Sequence, residues 1–510
     1  MGIEMKLIAR LYDVDSSEPR VVAHRDDCKE LGVKQLDRVR IDAKASQAIV
    51  VSISDTLVKK GEILIPRSVM TKLGAEEKKP VEVIYSPKPE SVKSIRKKMD
   101  SVKLTRDEIN EIVFDIYEGK LSKIEISAWL TALYINGMDN EEIANFTQSM
   151  VNTGEKITFD RTPVFDFHSL GGVPGNKVTP IVVSIVAAAG LMIPKTSSRA
   201  ISSACGTSDF VEVFCNVELE AAKLKKVSET VGGVLAWGGS MNIAPVDDMV
   251  IDIEYPLGIN PRAQMLASIL SKKLAISATH LLVDIPMGAG TKVPTLEAAR
   301  EHARDLMELG DKLGIRTECA ITYGDQPVGN AIGPALEARE CIKILEGNAH
   351  PASVVEKACD LAGMILEMGG IPDGPEKARE ILSSGQALKK FREIVAAQNG
   401  RPDLRSDDIQ TGKFMHDVKA VRSGYVHSIN NKDLVTIARA AGAPADKGAG
   451  ILLFRKKGQR AEKGETLFQI YADNQAKADR AKELAIKLEP MDIEGMLIKK
   501  VPNPSALKNI

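Results

Sequence analysis

The sequence predicts an α/β protein with additional domains: a β-rich N-terminal domain, a helical domain, a central α/β domain and a C-terminal α+β domain. Three observations carry this. Short alternating apolar segments fill the first 85 residues, three capped amphipathic helices follow, and from about residue 160 strand-like runs alternate with helices. That last alternation is the mark of a largely parallel sheet covered by helices. The 510 residues leave room for about three or four domains at roughly 150 residues each.

Residues 1–85 contain alternating segments such as Met5-Lys6-Leu7-Ile8-Ala9 and Ala48-Ile49-Val50-Val51-Ser52-Ile53, separated by glycine and charged turns. With Leu31-Gly32 and Gln35-Leu36-Asp37-Arg38-Val39 the segment resembles double-psi-like barrels. Ser86-Pro87-Lys88-Pro89-Glu90 favours extended backbone and sets a domain boundary. The basic run Ile95-Arg96-Lys97-Lys98 reads as the solvated start of a helix. A helical domain over 96–158 is punctuated by Thr105 with Glu108, Ser122 with Glu125 and Asp139 with Glu142, each a cap residue three positions before a glutamate. Ile109, Ile112, Val113 and Ile116 give the first helix its buried face, and Gly119, Gly137 and Gly154 close the three helices. A further helical part belongs near 255–278.

The α/β domain spans 160–400. Its strands are read at Leu191-Met192-Ile193-Pro194, Val234-Leu235-Ala236-Trp237, Leu281-Leu282-Val283-Asp284-Ile285 and Glu318-Cys319-Ala320-Ile321-Thr322, with a helix from Thr295 to Leu313 capped by Thr295. Residues 412–500 return to strands and turns and end on a charged helix, Asn474 to Lys487. There Lys463-Gly464-Glu465-Thr466-Leu467 resembles a carrier-like β fold without a biotinyl or lipoyl attachment motif.

Composition narrows the function. Sixty-eight basic and 69 acidic side chains give a net charge of -1, so no bulk basic surface awaits nucleic acid. Aromatics make up 4% of residues, too few for stacking platforms along a single strand. The longest apolar run, Pro180 to Pro194, has 15 residues and is too short to span a bilayer. The N-terminal residues lack a signal-peptide core. Six cysteines without a CxxC pair point to a reducing cytoplasm, and with no HExxH the expected protein-bound metal is none.

Three loops carry the chemistry. The first, Asp166-Phe167-His168-Ser169-Leu170-Gly171-Gly172-Val173-Pro174-Gly175-Asn176-Lys177-Val178-Thr179-Pro180, brings a glycine-rich turn to a helix start, with Thr179 as cap and Pro180 as first helical residue. It reads as an oxyanion cradle to which His168 and Ser169 add donors and Lys177 adds charge, or else as a tight turn with no ligand. The second, Lys195-Thr196-Ser197-Ser198-Arg199-Ala200-Ile201-Ser202-Ser203-Ala204-Cys205-Gly206-Thr207-Ser208-Asp209, follows a strand, precedes a helix opening near Ser208, and is crowded with hydroxyls. Strand ends feeding helix starts are where α/β folds bind ligands, and small hydroxylated residues let backbone approach a phosphate. The third, Met287-Gly288-Ala289-Gly290-Thr291-Lys292, places Lys292 to meet a second anionic group, although it lacks the spacing of a P-loop. Asp247-Asp248 is read as a helix cap or loop pair, with a magnesium site as the alternative.

These residues carry a resemblance. Ser198-Arg199-Ala200-Ile201, the Gly206-Thr207-x-Asp209-x-Val211-Glu212 stretch, the HSxGG of His168 to Gly172 and Ala267-Ser268-Ile269-Leu270-Ser271-Lys272-Lys273 resemble the thymidine and pyrimidine-nucleoside phosphorylase family. Within it the likeness is to the archaeal AMP phosphorylases, whose HSLGGVPGNK loop, KTSSRAI segment, Trp237-Gly238-Gly239 strand end and β extension all occur here. The resemblance implies a nucleoside-phosphorylase fold and a reaction of AMP, and also CMP or UMP, with phosphate to give free base and ribose 1,5-bisphosphate in nucleotide salvage. It implies nucleotide contacts at Gly172, Ser198, Arg199, Ala200, Ile201, Ser202, Ser203, Thr207, Ser268 and Lys292. Phosphate contacts fall on Ser169, Ser197 and Thr207, a base contact on Lys272, and His168 lies beside the base. Phosphate is a co-substrate; no cofactor, nucleic acid or membrane is implied, and a homodimer or larger homo-oligomer is.

Departures from the family pattern are equally informative. Tyr255-Pro256-Leu257 leads to Gly258 where the pyrimidine enzymes carry a base-binding arginine, which argues against thymidine or uridine. Phe167 stands where the wider family has lysine. Asn260 stands before Pro261-Arg262-Ala263-Gln264 in the place of an aspartate assigned as proton donor to the leaving base. An amide donates a hydrogen bond but delivers no proton. Either the position accepts an amide, or another group donates, or the form is weakened; His168 is the substitute donor the sequence offers, or else a structural holder of the glycine loop. The other readings are a thymidine or pyrimidine nucleoside phosphorylase, a phosphoribosyltransferase demanding pyrophosphate and Mg²⁺, and a nucleotide-binding protein without turnover. Keeping water from a phosphorolysis site implies hinge closure between the helical and α/β domains.

Overall fold

A computed structural model describes residues 3–13, 19–200 and 203–497. It divides into two compact units, Met1–Gly154 with Ala244–Ser271, and Glu155–Ile243 with Lys272–Ile510.

In the first unit six strands close into a barrel in the order Glu4–Tyr12, Glu62–Pro66, Val21–His24, Ser46–Ser54, Arg38–Asp42, Pro80–Ser86. Alternation fixes which side chains point inward: Leu7 with Ala9, Val39 with Ile41, Ile49 with Val51, Ile63 with Ile65 and Val81 with Val83 fill the core at a period of two. Closure leaves no strand edge open. The helices Ser91–Met99, Arg106–Tyr117, Lys123–Asn136 and Asn140–Asn152 follow, and Pro245–Leu257 joins them from later in the chain. All three expected capping boxes form. In one of them Ser122 Oγ accepts from Glu125 N at 3.4 Å while the Glu125 carboxylate accepts from Ser122 N at 2.8 Å.

Barrel and helices fall in one compact unit, tied by the buried Arg38, which donates to Lys120 O at 2.8 Å and pairs with Glu125. One expectation changes here. The basic run is not a solvated face throughout. Ile95 and Lys98 are buried, and Lys98 forms an ion pair with Glu142 at 2.9 Å, because a buried ammonium needs a carboxylate partner.

In the second unit Arg316–Tyr323, His280–Met287 and Phe165–Ser169 form a parallel sheet, and Ile193–Ser197 pairs in parallel with Gly233–Trp237. A single parallel bridge, Val164 to Met192, links the two. Thr179–Ala188 is buried along its length, in a core shared with Pro334–Leu345, Ala352–Met368 and Gln386–Ala397. Its cap position is Val178, whose backbone is already helical, so Thr179 lies inside the helix rather than capping it; Pro180 still falls in the first turn, where its missing N–H is harmless. Thr295 caps Leu296–Lys312 as expected, accepting from Ala298 N at 3.2 Å.

The C-terminal part holds two antiparallel sheets. One runs in the order Ala331–Ile332, Gly450–Leu453, Thr466–Ala472, Phe414–Lys419; the other is Arg460–Ala461, Gly424–Ile429, Met491–Glu494. Asn474 caps Gln475–Leu488. Just beyond Gly450–Leu453, Lys456 turns inward and donates to Pro327 O and, at 2.8 Å, to Gly329 O; burial pushes its ammonium down to about 7. All six cysteines are free. Among the described residues no helix is long and apolar enough to cross a membrane.

The capping boxes give a direct test of the helical part. Ser122→Ala is expected to destabilise its unit by about 1 kcal/mol and Ser122→Gly by only a few tenths, read as shifts in the urea midpoint.

Candidate functional site

The three loops leave the carboxyl ends of parallel strands of the second unit. The first follows Phe165–Ser169 and turns on Gly171, Gly172 and Gly175, all with positive φ. At Gly172 (φ 86) a Cβ would sit 2.9 Å from Lys292 N, so the first and third loops meet backbone to backbone and only glycine fits. The third loop leaves His280–Met287. It is fastened by Ala289 N donating to Asp325 Oδ1 at 2.7 Å and by Val293 N donating to Thr291 Oγ1 at 3.1 Å. Lys292 is exposed.

Lys177 does not add charge to this cradle. It is fully buried beneath the loop, donating to Val328 O at 3.0 Å and paired with Glu340 at 2.5 Å. A Cβ on Gly175 would meet Ala331 O and Val328 O at 2.6 and 2.7 Å, so the carbonyls of this segment form the loop's floor.

The second loop is folded around Asp209. This buried carboxylate accepts from Ala200 N and Gly206 N, both at 2.8 Å. Gly206 has no room for a side chain, with Ala200 N 2.6 Å from its would-be Cβ. Arg199, expected as an anion-binding cation, is committed elsewhere: it grips Glu212 with two nitrogens at 2.7 and 2.9 Å, reaches Glu218 at 3.0 Å, and stacks 4.8 Å from the Trp237 ring centroid. Those bonds raise its own pKa and hold Glu212 down to about 2, the Arg199 hydrogen bonds being the first cause. Ser198 is exposed, and Ala200, Ser203 and Thr207 are half-buried around the turn; Ile201 and Ser202 lie outside the described residues. Ser197 Oγ and Ser208 Oγ are buried without a hydrogen-bond partner among the described residues. Orphaned hydroxyls at a strand end are donors in want of an acceptor.

Beside these loops positive charge exceeds negative. Asp166, fully buried, pairs with Lys273 at 2.7 Å and with Lys195 at 3.7 Å. Two buried lysines thus share one carboxylate, and burial, followed by the Lys273 charge, pulls Lys195 down to about 7. His168, one residue past Phe167 on the same strand, is held well below the usual histidine value by burial first and then by Lys273, Lys195, Lys272 and Lys292. Its ring is neutral at pH 7 in the free chain. A neutral imidazole offers a hydrogen bond but is a poor proton source.

Sequence reasoning did not single out Asp284, which stands mid-strand and fully buried. It receives Ser169 Oγ at 2.7 Å, Asn176 Nδ2 at 3.3 Å and Thr322 Oγ1 at 2.5 Å, and pairs with Lys357 at 2.8 Å. A lone aspartate inside the run Leu281 to Ile285 was the available signal, since a carboxylate in a strand core demands donors.

In the first unit Asn260 is exposed ahead of Arg262–Ala275, its Nδ2 3.9 Å from Met265 Sδ. Asp247 is fully buried and accepts from Gln264 Nε2 at 3.0 Å and Ser268 Oγ at 2.9 Å, so it orients the Ser268 hydroxyl rather than facing a metal. Arg262–Ala275 continues into the second unit with the half-buried Lys272. Among the described residues no group of three His, Cys, Asp or Glu side chains is placed to hold a metal.

Family models match three stretches: the glycosyl transferase family helical bundle domain over residues 92–154, the a/b domain of the glycosyl transferase family over 161–388, and the pyrimidine nucleoside phosphorylase C-terminal domain over 425–489. Among curated proteins, the AMP phosphorylase of Methanococcoides burtonii is 47% identical over 500 residues, covering 98% of this chain and 99% of its own. That of Thermococcus kodakarensis is 48% identical over 503 residues, covering 98% and 100%. AMP phosphorylase 1 of Archaeoglobus fulgidus is 47% identical over 480 residues, covering 94% and 95%. A solved anthranilate phosphoribosyltransferase from Thermus thermophilus matches with a TM-score of 0.51 and 19% identity over 60% of this chain and 99% of its own, a likeness of fold.

The charge surplus is testable by titration. NMR of histidine-labelled protein is expected to show the His168 ring neutral down through pH 6.5 in the free chain. Lys273→Met is expected to raise its pKa, since one of the cations opposing ring protonation is gone.

Proposed function

The chain belongs to the AMP phosphorylase family, and from that premise we propose how its own residues split AMP with inorganic phosphate into adenine and ribose 1,5-bisphosphate. The reading is carried by three donor-rich loops at the carboxyl ends of parallel strands, the first and third of which meet backbone to backbone at Gly172 and Lys292, in a chain similar to AMP phosphorylases along 98% of its length.

Phosphorolysis has to hold two anions on either side of one sugar. The co-substrate phosphate is assigned to Ser169, Ser197 and Thr207, where the orphaned Ser197 hydroxyl gains its missing acceptor. The nucleotide is assigned to Gly172, the Ser198–Ser203 turn, Thr207, Ser268 and Lys292, with Lys272 toward the base. Arg199 contributes its place in the turn rather than its guanidinium, which three carboxylates already neutralise. Lys292, Lys272 and the surplus lysine at Asp166 supply the cationic field, so the scheme needs no metal. Bound phosphate offsets that field, and His168 then donates a hydrogen bond toward the sugar and base.

In the reaction a phosphate oxygen forms the bond to C1′ as the glycosidic bond breaks, and the base nitrogen keeps the electron pair. Positive charge grows on the sugar beside the phosphate, while negative charge grows on the base. An amide at the Asn260 position offers the departing base an N–H, which stabilises charge without transferring a proton, and the released purine takes its proton from water. CMP and UMP fit the same scheme, since the 5′-phosphate and ribose contacts are independent of the base.

The test is base release from AMP, CMP, UMP, adenosine and thymidine, with and without phosphate and without added metal. Phosphate-dependent adenine release from AMP, at least tenfold above adenosine, is expected. Equal rates with adenosine or thymidine would indicate a nucleoside phosphorylase, and a demand for pyrophosphate and Mg²⁺ a phosphoribosyltransferase. Asn260→Asp is expected to raise kcat for AMP by about 10²–10⁴-fold, the usual worth of a general acid. An unchanged rate would mean that another group protonates the base.

A further inference from the structure

Ser169 is a hydroxyl of the phosphate loops whose donor and acceptor roles follow from its partners. Its Oγ lies 2.7 Å from Asp284 Oδ2 and accepts from Asn176 Nδ2 at 3.0 Å. Asp284 Oδ2 also pairs with Lys357 Nζ at 2.8 Å, so it is a carboxylate and takes hydrogens only. Ser169 must therefore give its single hydrogen to Asp284. The Asn176 amide is oriented the same way, because its oxygen would otherwise face a carboxylate and a hydroxyl lone pair. One lone pair of Ser169 remains open, and a ligand that meets it must bring the hydrogen. The carboxylate is fixed by Thr322 Oγ1, which donates to Oδ1 at 2.5 Å, and by Lys357, which approaches from the helix Ala352–Met368, while the Asp284 backbone carbonyl accepts from Leu170 N at 2.9 Å. With side chains 0% and 8% exposed at Asp284 and Lys357, water does not compete for these bonds.

We propose that Asp284 is a positioning residue of the phosphate subsite: by taking the Ser169 hydrogen it makes that hydroxyl an acceptor, and the subsite thereby selects a tetrahedral anion that still carries a hydrogen. Hydrogen phosphate qualifies and sulfate, unprotonated at neutral pH, does not. The P–OH is anchored on Ser169, and the bare oxygens are left to face the donors of the second loop and the sugar carbon. This rests on the assignment of phosphate to Ser169 given above.

The experiment compares phosphate and sulfate on the full chain. Against phosphate-dependent adenine release, sulfate is expected to inhibit with a Ki at least tenfold above the phosphate KM, the worth of one hydrogen bond to a charged partner. Asp284→Asn frees the Ser169 hydrogen, and it is expected to raise the phosphate KM about tenfold, leave the AMP KM within twofold, and narrow the phosphate-to-sulfate gap. Wild-type inhibition by sulfate at the phosphate KM overturns the proposal without any variant. So does a folded Asp284→Asn protein, checked by circular dichroism, that keeps the wild-type gap. A protein that releases no base with phosphate at all fails the functional reading instead, and that outcome is visible before sulfate is added.

Discussion

A carboxylate taken out of water must be surrounded by donors, and the site of this protein is arranged by that demand. Asp284 gathers a serine, an asparagine, a threonine and a lysine from three segments; Asp209 gathers two backbone amides that close the hydroxyl-rich turn; Asp166 gathers two lysines. Removing one partner of such a pair leaves a buried charge uncompensated, so each aspartate holds its neighbours far more firmly than a surface pair would. The loops that face a ligand are thereby set from behind, by groups the ligand need not touch.

The same demand explains the polarity of the site. One carboxylate serves two buried lysines at Asp166, while at Ser197 and Ser208 hydroxyl oxygens are buried without partners among the described residues. A protein interior tolerates surplus cation and unmet donors poorly. An anion at this place would satisfy both at once.

What the sequence revealed was local. Ser122 with Glu125 and Thr295 with its helix were readable because cap and recipient lie three residues apart. The glycine loops were readable because left-handed turns leave a compositional trace. Lys177 and Asp284 were misread or passed over because their roles depend on partners far along the chain: Glu340 stands 163 residues from Lys177, and Ser169 115 from Asp284. Arg199 lies nearer its partners, 13 residues from Glu212 and 19 from Glu218, but the loop that brings them together leaves no periodic trace. Even Thr179 shows the limit, for the residue before it had already entered helical geometry and took over the cap position. Asn260 is the reverse case, a departure visible only in sequence, since its exposed side chain makes nothing around it unusual.

Lys456 gives the C-terminal sheet a part in this. Its ammonium ties down Pro327 O and Gly329 O, in the same strip of backbone whose Val328 and Ala331 carbonyls press on Gly175 and whose Val328 carbonyl receives Lys177. Through Lys456 the C-terminal sheet is therefore a foundation for the glycine loop and not an appendage. A chain ended near residue 410 would keep every group assigned to phosphate and nucleotide, yet it would lack the cation that steadies the ground on which the loop stands.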